Sequence, residues 1–328
     1  MITCKRSEEI IAQFKNKKVL VIGDLVLDHY VIGSVDRLNP EAPVSLLDVK
    51  QEKNTSGGAG NVAKNTAMLG ATATLLAMIG QDQAAEQLKD ASKSEGFELV
   101  ALTEKNRPTS QKTRFLAGSQ QLLRVDKEVK YDIDSVREEE LKQLISDHAG
   151  KYDAILVSDY AKGLVTENIA QHILKTAQKH NIPVAVDAKP SRIHYFKGAT
   201  FMSPNRKEAR EALGLTDEEH VDPTDLATRF AENFETTACV TLSADGIVVV
   251  GPDQEVLHVP QMHVREVYDV SGAGDTAIVT MLFSRLSEAS WEEALQLANA
   301  AAAVVIAKIG TVGLTADELH TMICHDHE

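Results

Sequence analysis

Residues 268–276 read YDVSGAGDT and run directly into AIVTMLFSRL. The helical spacing of the second stretch predicts a helix whose mouth is built by Gly272, Ala273, Gly274 and Asp275. Glycine allows a tight turn and close approach to the main chain, and the unpaired N–H groups of a helix N-terminus carry partial positive charge. That describes a phosphate site. Asp275 is the odd member, since its carboxylate repels a bound anion; it is either a complement to the helix dipole or a general base beside a phosphate. A second cluster, SGGAGNVAKN at 56–65, also opens a helix. Gly58, Gly60 and Ala63 fit the pattern G-x-G-x-x-A, as do Gly272, Gly274 and Ala277, so a dinucleotide site is a rival reading. Its context is wrong: such a fingerprint follows the first strand of a βαβ unit, with an acid about 20 residues on at the next strand's end. The first cluster follows exposed-strand sequence, although Asp82 lies near that distance, and the second is followed by helices and no strand.

The elements that must position these residues alternate. KVLVIGD, ATLLAMIG, YDAILVSD, IPVAVDA and TACVTL read as apolar strands, with NVAKNTAMLG, QAAEQLKDASKSEG, TENIAQHILKTAQKHN and RKEAREALG as amphipathic helices between them. Continuous apolar strands separated by helices predict a parallel sheet covered on both faces. Ligands of such a sheet bind beyond the carboxyl ends of its strands. Asp24, Asp159, Asp187 and Asn205 each follow a strand and should meet there; alone, each could be a helix N-cap. Oxygen donors without a matching His–Cys set suit sugar hydroxyls and magnesium better than zinc. Two stretches, HYVIGSVDRLNPEAPVSLLDVKQ and SQKTRFLAGSQQLLRVDKE, look like exposed strands with no helix between them, and predict a small β-sheet flap.

Composition narrows the partners. A chain of 328 residues, 43% hydrophobic, can bury a large core, and no linker, repeat or low-complexity tract divides it. A formal charge of −14 argues against nucleic acid and acidic membrane surfaces. Cys4, Cys239 and Cys324 are far apart in sequence and form no C-x-x-C pair, so neither a disulfide framework nor a zinc site is expected. The charged N-terminus has no apolar signal core, and the longest apolar run is too short to span a bilayer; a cytoplasmic protein is expected. The terminal HDHE could catch a metal, but a frayed tail is the expectation.

GGAGNVAKN near one end and DVSGAGDT near the other, in that order and spaced over almost the whole chain, resemble the two signatures of the ribokinase-like (PfkB) sugar kinases. SPNRKE between them resembles that family's N-x-x-E motif. RLNPEAPVSLLDV, KTRFLAGSQQLLRVD and LVSDYAKGLV resemble the bacterial D-glycero-β-D-manno-heptose 7-phosphate kinases within the family. DAKPS departs from it, where D-P-K-G is expected. The resemblance implies one ribokinase-like domain over 1–328, a three-layer α/β/α fold with a mainly parallel sheet, and a small β-sheet lid at about 29–52 and 110–126. It implies transfer of phosphate from ATP, with Mg2+, to the anomeric hydroxyl of heptose 7-phosphate in lipopolysaccharide precursor synthesis. The bifunctional relatives carry a nucleotidyltransferase for which residues after the kinase leave no room, so the single-function form is expected.

Residue by residue, the likeness makes Asp275 the base and the N–H groups of Gly272, Ala273 and Gly274 with Asp275 the phosphoryl cradle. Asn205 and Glu208 would position magnesium through water. Thr241, Ser243 and Gly246 would run along the nucleotide, with an ordinary hairpin turn as the alternative, and Asn299 would face the base. Asp24, Gly57, Gly58 and Asn61 would hold sugar hydroxyls, with Asp159 and Asp187 nearby. Lys112, Arg114, Arg124, Lys162 and Lys189 would meet the distal phosphate or be plain surface charge. An apolar lid face predicts a homodimer formed through the lid. A kinase for another sugar, or a catalytically inactive sugar-binding regulator on the same fold, stays open; the inactive reading predicts loss of the base or N-x-x-E residues, and both are present.

Overall fold

The computed structural model describes residues 2–36, 39–118, 120–216, 218–251, 255–262, 270–308 and 312–325. Tyr268 and Asp269 of the C-terminal signature, and the last three residues of the HDHE tail, lie outside them. Among the described residues the strands are β1 Lys18–Gly23, β2 Leu25–Ser34, β3 Asp48–Gly58, β4 Thr72–Ile79, β5 Glu98–Thr103, β6 Gln111–Ala117, β7 Gln120–Lys127, β8 Ala154–Asp159, β9 Val184–Ala188, β10 Phe201–Met202, β11 Thr237–Thr241, β12 Ile247–Val250 and β13 Val256–Val259. The helices are α1 Cys4–Ile11, α2 Ala59–Met68, α3 Gln83–Ser94, α4 Ser135–Ala149, α5 Glu167–His180, α6 Pro190–Ile193, α7 Arg206–Ala212, α8 Pro223–Phe234, α9 Ala273–Leu286, α10 Trp291–Ile306 and α11 Ala316–His325.

Nine strands form one sheet in the order β13, β12, β11, β10, β9, β8, β1, β4, β5, parallel except where β12 and β13 pair antiparallel at one edge. Successive side chains of a strand point to opposite faces, and the core divides accordingly. Val19 and Val21 of β1 pack with α2, α9 and α10 residues, whereas Leu20 and Ile22 pack with those of α4, α5 and α8. The result is the three-layer α/β/α arrangement expected from the alternating pattern. Register aligns Gly23 with Ser158 and Ser158 with Asp187, so the carboxyl ends of β1, β8 and β9 share one rim.

A second sheet, in the order β3, β2, β6, β7, is the lid. Its register sorts the heptose-block residues. Asp28 pairs with Lys112, Tyr30 with Arg114, Arg114 with Arg124 and Lys112 with Asp126, which puts all of them on one face. The opposite face carries the apolar members, among them Leu123 and Val125, 56% and 49% exposed.

Two features correct the reading of composition. Cys4 and Cys324 form a disulfide, because α1 and α11 pack together and bring the two ends of the chain into contact; a separation of 320 residues hides that in sequence. Cys239, by contrast, is buried in the sheet core. In DAKPS, Pro190 starts α6, a position where its missing N–H costs nothing. No helix among the described residues is long and apolar enough to cross a membrane.

Candidate active site

Asp275 sits in the first turn of α9, 6% exposed, and its two carboxylate oxygens are held from two sides. Asn61 Nδ2 donates to Oδ2 at 2.7 Å and the Tyr160 hydroxyl to Oδ1 at 3.2 Å. Asn61 reaches it because Gly58, at φ +59°, turns β3 into α2 and leaves Asn61 in the first helical turn. Burial raises the Asp275 carboxyl above its ordinary value, while the Asn61 and Tyr160 hydrogen bonds pull it back. Burial, and then the negative charge of Asp275, push the Tyr160 phenol well up, so it remains a donor. The arrangement is an oriented, desolvated carboxylate, with Asn61 Oδ1 buried beside it and lacking a hydrogen-bond partner.

On one side of Asp275 opens a cavity of about 900 Å³, lined by Asn205, Thr241, Ser243, Gly246, Gly274 and Asn299 among others. Gly272 has φ +81°, which turns the chain into α9. A Cβ placed on Gly274 would meet nothing within 4 Å among the described residues, and this glycine lines the cavity. TLSADG is the tight antiparallel turn joining β11 to β12, and it also lines this cavity; Gly246 at φ +89° would strike the Val259 carbonyl with any side chain. The Asn299 amide does not face the cavity freely: its Nδ2 donates to the carbonyls of Val259 and Pro260 and pins that loop.

Asn205 and Glu208 cap α7 reciprocally, each side chain accepting from the other's backbone N–H. Glu208 also receives Lys189 Nζ at 2.6 Å. Lys189 therefore belongs to this end of the site, over the Tyr160 ring, and not with the lid cations. Asp187, at the carboxyl end of β9, is half-buried and feels the charges of Asp275, Glu208 and Lys189. Burial, followed by the charges of Asp275 and Glu208, raises its carboxyl to about 8.

On the other side of Asp275 stands the lid. Asp28 Oδ2 would come within 2.2 Å of a Cβ on Gly57, so glycine is what lets the Asp28 carboxylate lie against α2's entry. Arg114 Nη1 holds Asp28 Oδ1 at 2.6 Å. Asp24 does not join this group: its carboxylate accepts from the backbone N–H groups of Tyr160 and Lys162 at 3.0 and 2.9 Å and fixes the turn after β8. Asp159 beside it is raised to about 7 by burial and by the Asp24 charge. Lys162 pairs with Glu128 and Arg124 with Asp126. The Lys112 ammonium is lowered by burial and then by the positive charge of Lys162, which places these cations close together.

A model of the pfkB family of carbohydrate kinases matches residues 16–317. The chain belongs to that family. It is 39% identical over 316 residues to bifunctional protein HldE of Azorhizobium caulinodans, over 96% of this chain and 66% of that protein; the chain thus spans just under two thirds of this relative's length. Phosphofructokinase-2 from Escherichia coli in complex with potassium superposes with a TM-score of 0.77 at 20% identity, over 95% of this chain and all of that one. Arabidopsis thaliana ribokinase complexed with ribose and ATP gives 0.70 at 17% identity, covering 94% and 98%. The fold is ribokinase-like, and the family is one of carbohydrate kinases.

Sequence reasoning missed four residues of this kinase's site. Asp28 was legible: it lies four residues after Asp24 and shares a strand face with Tyr30. Tyr160 stands in the SDYAKG block but carries no spacing that points at Asp275. Lys64, 5% exposed one turn beyond Asn61, donates to Thr55 at 3.3 Å; burial lowers its ammonium, and Glu95, Asp28 and Asp275 hold it up. Arg107, 7% exposed, donates to the carbonyls of Lys162 and Tyr131 at 3.0 and 2.7 Å and ties down the Lys162 turn. Neither had a sequence signal beyond its type.

Proposed function

We propose that this kinase transfers the γ-phosphoryl group of ATP to the anomeric hydroxyl of D-glycero-β-D-manno-heptose 7-phosphate and forms the 1,7-bisphosphate. The observation that carries the choice of sugar is the lid register, which puts Lys112, Arg114 and Arg124 on one face, with Lys162 close enough to Lys112 to add to the lowering that burial imposes on its ammonium. Arg114, Arg124 and Lys162 are each paired with a carboxylate, and side chains that hold carboxylates in this way also suit a sugar's distal phosphate. The heptose-type blocks that supply these residues support the same reading.

In this reading the sugar lies between Asp28, Gly57 and Asn61, and ATP fills the cavity at Gly274. Asp275 takes the proton of the anomeric hydroxyl as the O–P bond to the sugar forms and the bond from γ-phosphorus to the ADP oxygen breaks. N–H groups at the mouth of α9 donate to the oxygens of the transferring group. Asn61 and Tyr160 keep the Asp275 carboxylate aimed, and burial makes it a stronger base than a solvated aspartate. A divalent cation such as Mg2+ supplies charge neutralisation between phosphates when bound. Asp187, Asn205 and Glu208 would hold it through its water shell, and the raised Asp187 carboxyl marks a locus whose negative charge Lys189 does not fully offset.

A coupled ADP-release assay over a panel of sugars tests this. Heptose 7-phosphate should be used far better than heptose, by about 10- to 100-fold for one charge-assisted contact. Equal use of both, or better use of fructose 6-phosphate, overturns the heptose assignment and leaves the sugar kinase standing. A homodimer through the lid completes the proposal: β7 is a free edge strand exposed along its whole length, and Leu123 and Val125 lie on the face away from the site. Light scattering should give twice 35.7 kDa at micromolar concentration, and the single mass sinks the dimer.

A further inference from the structure

Apart from the residues of the candidate active site, three metal-ligating side chains meet where the helices α1 and α11 touch. Cys4 opens α1, and His320 and Cys324 stand four residues apart on one face of α11. Their ligand atoms lie within 4.8 Å of one another, all half-buried. His320 Nε2 is 3.7 Å from Cys4 Sγ and 3.5 Å from Cys324 Sγ. The ring is oriented by Ser7, which is fully buried. The Ser7 hydroxyl gives its one proton to the Cys4 carbonyl at 2.7 Å, so toward His320 Nδ1, at 3.3 Å, it can only accept. Nδ1 therefore carries the proton and Nε2 is the nitrogen with a free lone pair; Cys324 Sγ, 3.5 Å from Nε2 and 3.8 Å from Nδ1, lies beside the ring and not on that lone pair. That is how metal-binding histidines are held, with the distal nitrogen free and the proximal one tied to a fixed acceptor.

We propose that, once Cys4 and Cys324 are reduced, they and His320 form a three-ligand site for a zinc-type divalent cation, with water as the fourth ligand. Around a tetrahedral zinc, a nitrogen at about 2.0 Å and a sulfur at about 2.3 Å stand about 3.5 Å apart, so His320 Nε2 is already at about the required distance from both sulfurs, though Cys324 Sγ has still to reach the lone-pair direction. The sulfurs must part, from bonded contact to about 3.8 Å, and in parting Cys324 Sγ must move toward the Nε2 lone pair. A dithiol reductant breaks the S–S bond and delivers two electrons and two protons. Metal binding then expels both thiol protons and leaves the imidazole neutral. Disulfide and metal are alternative clasps on one pair of helices, and each excludes the other.

Cobalt(II) titration of the full chain tests this. The dithiol-reduced protein should bind one Co2+ per chain, with visible bands of tetrahedral cobalt and a near-ultraviolet thiolate-to-cobalt band, whereas the disulfide form should show neither. His320→Ala keeps both sulfurs, and therefore the clasp that holds the helices, yet should weaken binding at least tenfold. Ser7→Ala should weaken it by about 10- to 100-fold, the usual effect of removing the group that orients a ligating histidine. Sugar-kinase turnover should stay unchanged in both. The site is overturned if reduced wild type takes up no Co2+ at micromolar concentration, if the thiolate band is missing, or if Cys4→Ser/Cys324→Ser or His320→Ala binds as tightly as wild type.

Discussion

The two glycine clusters look alike in sequence and differ in what the glycines are for. Before α2 the space is full: a Cβ on Gly57 meets Asp28 Oδ2 at 2.2 Å, one on Gly58 meets the Asp24 carbonyl at 2.4 Å, and one on Gly60 meets Leu25 and Ser56 at 2.6 Å. Before α9 no atom of the described residues comes within 4 Å of a Cβ on Gly274. In the first cluster glycine lets protein pack on protein, so that Asp28 and Asn61 can stand where a ligand would be read. In the second it keeps the main chain bare for something that is not protein. One pattern, G-x-G-x-x-A, thus has two physical causes, and only the second is the phosphate-cradle logic that the pattern is usually credited with.

The largest expected effect falls on the residue that the two clusters share through a hydrogen bond. Asp275→Asn should lower kcat by about a hundredfold or more, the scale of general-base loss, with ATP and sugar binding retained, because the amide cannot take a proton. Rapid-quench single-turnover rates isolate that step. A variant with near-normal chemistry would reduce Asp275 to a helix-end charge, and the α9 cluster to an anion cradle alone.

Breaking the comparison itself takes a pair of alanines. Gly58→Ala forces a side chain into a backbone conformation that only glycine adopts easily and onto the Asp24 carbonyl, which should destabilise the fold by about 1–3 kcal/mol or more. Gly274→Ala should leave stability unchanged or raise it by up to about 1 kcal/mol, since alanine is the better helix former, yet should impair turnover by narrowing the cavity. Denaturant unfolding of both variants, with kcat and KM for ATP, reads the contrast. Equal destabilisation would mean that the space over Gly274 is not open.

How legible this was in sequence depended on whether a residue's job was local. Strand and helix alternation, the parallel sheet, the lid strands and the mouth of α9 all follow from patterns within 10 to 20 residues. The Asn205–Glu208 capping box was visible as spacing, though it reads equally as a cap. Contacts between distant segments were not legible. Nothing near Asp24 says that its carboxylate will be taken by the backbone of residues 160 and 162, leaving Asp28 to face Gly57. Nothing near Cys4 announces Cys324. Lys189 looked like a distal-phosphate ligand because its partner, Glu208, comes from another strand–helix unit.

The smallest expected effect sharpens the electrostatic side of the contrast, since Asp187 feels the charges of both Asp275 at the mouth of α9 and Glu208 at the start of α7. Asp187 has an ordinary carboxyl in the unfolded chain and one raised to about 8 in the fold, first by burial and then by Asp275 and Glu208. Between about pH 4 and 8 the folded protein therefore keeps a proton that the unfolded chain has lost, and stability from this group falls as pH rises through that window. Asp187→Asn removes the group without changing its size. The variant should gain stability relative to wild type progressively from pH 5 to 8, the difference levelling off above pH 8. Adding Mg2+ should shrink the gain, because a cation at this locus favours the ionised carboxyl and lowers its pKa. Chemical denaturation at stepped pH, with and without Mg2+, measures both. A difference independent of pH would show Asp187 to be ionised throughout, with its charge already balanced by Lys189.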